Sequence, residues 1–137
     1  MKRIKVVFVL AILLILGACS KDDSISEWIR VANMTERPVE FSIVSDSDQI
    51  NKLNKITGGL KWEYGKMGDA NDSNYQFWLE RKGEVLRITN FELWINEDSP
   101  SAVIADYIQF KVATISGDDL KQLIQILDSG HSGNEER

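Results

Sequence analysis

Few side chains in this chain could carry chemistry, and their spacing narrows what that chemistry would be. In the stretch from Asp69 to Asn74, oxygen-bearing side chains recur at alternate positions. Asp69, Asn71 and Ser73 fall at the first, third and fifth places of a calcium loop, with Glu80 at its twelfth. Such a loop turns on a glycine at the sixth place, where this chain has Asn74, and residues 75–81 alternate like a strand instead of entering a helix. The alternative is a solvated loop. Carboxylate pairs could act as the acid and base of a glycosidase. With 21 Asp and Glu in 137 residues chance pairs are certain, however, and Asp118 and Asp119 already suit a helix start. His131 is the only histidine, so histidine-based catalysis and zinc clusters lack material. Neither a Gly-rich phosphate loop nor a Gly-x-Ser-x-Gly elbow occurs. The inventory points to no enzyme and no cofactor. What remains is aromatic: Trp28, Trp78 and Trp94 sit among polar neighbours in strand-like stretches. On an exposed sheet face they would suit sugar stacking or a protein contact; otherwise they fill the core or cover the sheet's second face.

The one remaining reactive group is Cys19. Lys2, Arg3 and Lys5 precede an unbroken apolar run from Val6 to Leu16, and Leu16-Gly17-Ala18 then leads into Cys19. A basic head, a short apolar middle and a small-residue end make a secretory signal. A span would need about 20 apolar residues for a core of about 30 Å, and this run is too short. Leu16-Gly17-Ala18-Cys19 resembles the bacterial lipobox, which implies a diacylglyceryl thioether on Cys19 and cleavage after Ala18. Two acyl chains hold where one does not, since each buried methylene contributes roughly 0.8 kcal/mol. The expected location is therefore the cell membrane, lipid-anchored on its extracytoplasmic side.

Cleavage after Ala18 leaves residues 19–137, or 119 residues, enough for one domain. Loss of the three cations before Cys19 from the chain's 16 leaves 13 against 21 carboxylates, a net charge of −8. Such a body does not suit phosphate backbones, so nucleic acid is not expected as a partner. The same charge should hold the globular part off an anionic lipid surface. With Cys19 lipidated no thiol is left for a disulfide or a nucleophile.

The elements that must position these side chains follow from periodicity. Residues 19–24 form a polar spacer and 25–128 a single domain, with 129–137 a flexible tail. Period-two alternation predicts strands at about 24–33, 39–44, 61–64, 75–81 and 85–89, an apolar strand at 91–95, and one strand or two over 103–115. Asp46 with Gln49 behind it opens a helix over 47–57 carrying Ile50, Leu53 and Ile56, stopped by Gly58-Gly59. Ser116 is the expected cap of a second helix striped with Leu120, Leu123, Ile124 and Leu127, with Gly130 at its end. The order β-β-α-β-β-β-β-α fits an α+β fold, an antiparallel sheet with both helices on one face and the other face free for binding.

Tyr75-Gln76-Phe77-Trp78-Leu79-Glu80, then Gly83, and the closing Ile115-Ser116 with Asp118-Asp119-Leu120 resemble the YhfM-like lipoproteins of bacilli over roughly residues 39–128. That resemblance implies a small anchored domain of this order; the family carries no assigned activity and so no site residues. The expected function is a non-catalytic, lipid-anchored module binding an envelope protein or other component. The alternatives are a small-ligand or calcium sensor using the 65–74 loop, or an inhibitor of a cell-wall hydrolase, since an acidic surface suits a basic target.

Overall fold

The computed structural model describes residues 26–84 and 86–132. The signal segment, Cys19, the 19–24 spacer and residues 133–137 lie outside the described residues. In chain order the elements are β1 (Glu27–Asn33), β2 (Phe41–Val44), α1 (Ser47–Gly59), β3 (Glu63–Tyr64), a 3-10 turn (Ala70–Asp72), β4 (Tyr75–Arg81), β5 (Phe91–Ile95), β6 (Ser101–Asp106), β7 (Lys111–Ser116), α2 (Gly117–Asp128) and β8 (His131–Ser132). One sheet runs β3-β7-β6-β5-β4-β1-β2-β8, with every neighbouring pair antiparallel. The class is α+β, and the order β-β-α-β-β-β-β-α is carried by β1, β2, α1, β4 to β7 and α2. Two-residue strands β3 and β8 flank it.

Alternation assigns the faces, because cross-strand partners share one. Ile29 lies between Val44 and Leu79, and Val31 is opposite Phe77, on the face that both helices cover. Helix α1 buries Ile50, Leu53 and Ile56 there, as the spacing predicts. Asp46 caps it, its carboxylate accepting from the backbone N–H groups of Asp48 (2.8 Å) and Gln49 (3.0 Å). Helix α2 buries Leu120, Leu123, Ile126 and Leu127, while Ile124 is only partly covered. Each fully buried side chain of this kind contributes about 1.5–3 kcal/mol. Trp62 joins the same core, stacked on Phe91 at 6.0 Å and donating its indole N–H to Thr57 O at 2.8 Å.

Local details differ from the periodicity. Of the expected 85–89 strand, the described residues 86–89 form none: Arg87 makes one isolated bridge to Glu80, and the Thr89 hydroxyl takes the Leu79 N–H that a paired strand would use. Over 103–115 the chain turns back at Tyr107 to Phe110, where the buried Asp106 carboxylate accepts from Ile108 N and Gln109 N. Phe110 closes that turn at φ 55, a left-handed conformation costing a bulky residue about 1–2 kcal/mol. Ser116 makes no side-chain cap bond; Gly117 takes the first step of α2 at φ 60, a left-handed conformation open to glycine without steric cost. At its other end Ser129, not Gly130, caps the helix through its N–H to Ile126 O. His131 and Ser132, placed by composition in a tail, pair with Ile43 and Ser42.

Among the described residues no helix is long and apolar enough to cross a membrane. Leu123→Ala, which empties a site with no solvent exposure, should cost about 2–5 kcal/mol in urea unfolding. Leu86→Ala, at an exposed position, should stay within about 0.5 kcal/mol of the parent.

Candidate functional site

The face away from the helices carries Trp28, Arg30 and Ala32 of β1 opposite Glu80, Trp78 and Gln76 of β4. This register brings three donors to one carboxylate. Trp28 Nε1 donates to Glu80 Oε2 at 2.8 Å, and Trp78 Nε1 to Oε1 at 2.6 Å. The Arg30 guanidinium adds contacts of 3.3 and 3.4 Å from Nε and 3.3 Å from Nη2. Partial burial pushes the Glu80 pKa up, but the bonds from Trp28, Trp78 and Arg30 outweigh it and hold the carboxyl below its ordinary range. An anion so saturated is a fixed acceptor, not a proton donor.

Trp78 makes two further ring contacts. The Arg87 guanidinium lies 3.9 Å from the ring centroid, the geometry of a cation–π contact, and Phe41 meets the ring edge-on at 6.0 Å. The indole is left only 5 % exposed, whereas Phe41 is half open to solvent. Arg87 comes from the β4–β5 connection and Phe41 from the start of β2. The patch therefore offers a rigid aromatic floor with a half-exposed phenyl ring and two guanidinium groups at its surface.

The other half of this face is covered by the chain itself. Residues 65–73 cross it and lie so close that a Cβ at Gly68 would sit 2.7 Å from Trp94 Cε2. Trp94 donates its indole N–H to Asp69 O at 3.0 Å, Gln76 donates to Ala70 O at 3.2 Å, and the Tyr107 hydroxyl to Gly68 O at 3.3 Å. The expectation of a wholly free second face is corrected by this segment. Glu92 is buried on the same face, with Oε2 lacking a hydrogen-bond partner. Burial pushes its carboxyl above the ordinary range, the nearby Asp69 charge adds to that, and the Tyr107 hydroxyl opposes it. Tyr107 is raised in turn by burial and by Glu92.

The residues proposed as a calcium set are separated into different roles. Asp69 caps the 3-10 turn by accepting from Asn71 N at 2.9 Å, Asn71 is exposed, and the Ser73 hydroxyl donates to Ala70 O at 2.8 Å. Glu80 is held by the indoles and Arg30. Among the described residues no three His, Cys, Asp or Glu side chains converge on a common point. Of the three tryptophans, Trp28 and Trp78 meet at Glu80, while Trp94 is paired with the covering segment. Asp118 and Asp119 occupy the first turn of α2. His131 lines a shallow depression of about 210 Å³ with Asp46 and Gln49. Cys19 and Leu16, Gly17 and Ala18 of the cleavage motif lie outside the described residues. Sequence reasoning missed Arg30, Arg87 and Phe41; the i, i+2 pairs Trp28/Arg30 and Trp78/Glu80 were the available signal, but only the register joins them.

No family model matches the chain, and no curated protein or solved structure matches it. The resemblance to YhfM-like lipoproteins gains no support from these comparisons.

Glu80 and Glu92 should respond to pH with opposite sign. A carboxyl held below its unfolded-state pKa stabilises the fold at neutral pH and loses that contribution as pH falls through its folded value. Glu80→Gln should therefore cost about 1–3 kcal/mol at pH 7 and progressively less below pH 4. Glu92, held above its unfolded-state pKa, disfavours folding once ionised. Glu92→Gln should be more stable than the parent at pH 7, with the gain vanishing on acidification. Urea midpoints across pH measure both.

Proposed function

We propose that this chain is a lipid-anchored lipoprotein of the extracytoplasmic membrane face, whose α+β domain is a non-catalytic module binding a protein of the cell envelope. The lipobox-like Leu16-Gly17-Ala18-Cys19 supports the anchor. One observation carries the binding role: Trp78 is held by contacts with both Arg87 and Phe41 while Phe41 is left half exposed beside two guanidinium groups. Aromatic and arginine side chains on a rigid floor are the composition of interface centres. A protein suits this surface better than a sugar, because Arg87 occupies the Trp78 face on which a sugar ring would stack.

Photo-crosslinking in intact cells tests the patch. A crosslinker at Phe41 should give a discrete adduct that Arg87→Glu reduces, and one at Gln122, exposed on α2, should not. Matching adduct patterns from both positions, or none from Phe41, would remove this surface as the contact. For the anchor, Cys19→Ala should move the protein from the membrane to the soluble fraction. Retention in the membrane with unchanged processing would end that part of the proposal.

A further inference from the structure

The strand register sorts the exposed apolar side chains by position. β1 starts, β4 ends, β5 starts, β6 ends and β7 starts at one end of the sheet, since Glu27 is opposite Arg81 and Phe91 lies between Phe77 and Asp106, which faces Lys111. Leu86 (73 % exposed) lies in the connection that leaves β4 there. The β6–β7 turn adds Ile108 (49 %) and Phe110 (67 %), and Tyr64 (83 %), opposite Lys111, closes the row on β3. With strands about 4.8 Å apart, the two loop tips are offset by roughly 10 Å across the sheet, and the β4 tip reaches further along it, since Arg81 lies four residues beyond the Phe77 that is opposite Phe91. Phe110 is the sharpest case: it keeps a left-handed backbone, which a bulky residue resists, and places its ring in solvent where no burial offsets the strain.

The chain enters the fold at this same end. Lys82 N donates to Ser26 O at 2.8 Å, so the incoming segment is bonded to the turn that leads to Leu86. Cys19 precedes Glu27 by eight residues, a reach of at most about 28 Å when fully extended. Charge is sorted the same way. Lys66, Lys82 and Lys111 lie around the tips, with Glu63 exposed next to Tyr64, Glu27 and Glu84 paired with Arg81, and Asp106 buried. Asp46 and Asp48 share this end, but on the β2 side, four strands from β6. Glu36, Glu97, Asp98, Asp118 and Asp119 gather at the far end, in the turns and the helix start there.

From this arrangement we infer that the tips bearing Leu86, Ile108 and Phe110 dock into the surface of an anionic lipid bilayer. This rests on the membrane-anchor reading above. The net acidity of the chain would keep a uniformly charged body away from such a surface. Here the carboxylates at the far end are repelled and the lysines around the tips attracted, which orients the domain tips-down. Apolar and aromatic side chains flanked by lysine are the residues that settle at the headgroup boundary.

The test uses the full chain in vesicles of phosphatidylcholine with a minority of phosphatidylglycerol. A polarity-sensitive fluorophore is placed on Leu86→Cys, Phe110→Cys or Gln122→Cys in turn. The two tip probes should shift to the blue, brighten by roughly twofold or more, and be quenched by spin-labelled lipid, whereas the Gln122 probe should not respond. Phe110→Gly should weaken the shift at residue 86 while leaving the thermal midpoint unchanged or higher, a combination that a merely structural role for Phe110 would not give. Tip probes as water-exposed as the Gln122 probe overturn the proposal. The intact mass of the unlabelled chain reports on Cys19 separately: a lipidated Cys19 with unshifted tips removes docking alone, whereas an unmodified Cys19 removes the tether. The tip probes are then read on a Cys19→Ser background, where shifted tips leave docking standing and unshifted tips remove it.

Discussion

The pairing of β1 with β4 is the constraint on which both faces of this molecule depend. Seven consecutive residue pairs, from Glu27 with Arg81 to Asn33 with Tyr75, fix the register at the centre of the sheet. On one face it stacks Ile29 on Leu79 and Val31 on Phe77 under the helices. On the other it sets Trp28 opposite Glu80 and Arg30 opposite Trp78. A slip of one residue would exchange the two sets, exposing the core and burying the ion pair without its partners. The hydrophobic effect and the Glu80 cluster thus select the same register, each from its own side.

Glu80 and Glu92 show how position in one sheet decides the behaviour of chemically identical groups. Both point away from the helices, on neighbouring strands. Glu80 meets two indole N–H groups and a guanidinium, which favour its charge. Glu92 lies beneath the segment that follows Tyr64, where it has lost water and gained no cation. The first carboxylate ties the open half of the face together. The second is a standing cost at neutral pH, and the segment above it is held by backbone acceptors that do not relieve that cost.

Much of the architecture is legible in the chain because it is written in periods. The two-residue alternation of 27–33 and 75–81 and the Ile50, Leu53, Ile56 stripe depend only on burial of one face, and they appear where periodicity puts them. The failures are local and physical. Val-Leu-Arg-Ile-Thr reads as a strand by propensity, yet the Thr89 hydroxyl competes for the ladder bond. Ser116 is a good capping type, yet its hydroxyl makes no cap bond, and the chain enters the helix through a left-handed Gly117. The site was legible in parts: Trp28 and Trp78 stand out as tryptophans, but Arg30, Arg87 and Phe41 become neighbours only through pairings between distant segments. The spacing that suggested a metal loop reflected something simpler, a run of turn formers in which Asp69 caps a 3-10 turn.

The sheet terminates at both sides in strands of two residues, β3 and β8. An unpaired strand border is a template on which another chain can add hydrogen bonds, and a long flat one invites polymerisation. On the β3 side the strand itself is only Glu63–Tyr64, so an incoming strand would gain little registry from it. A border of two residues lets copies of the chain collide without knitting into a fibre.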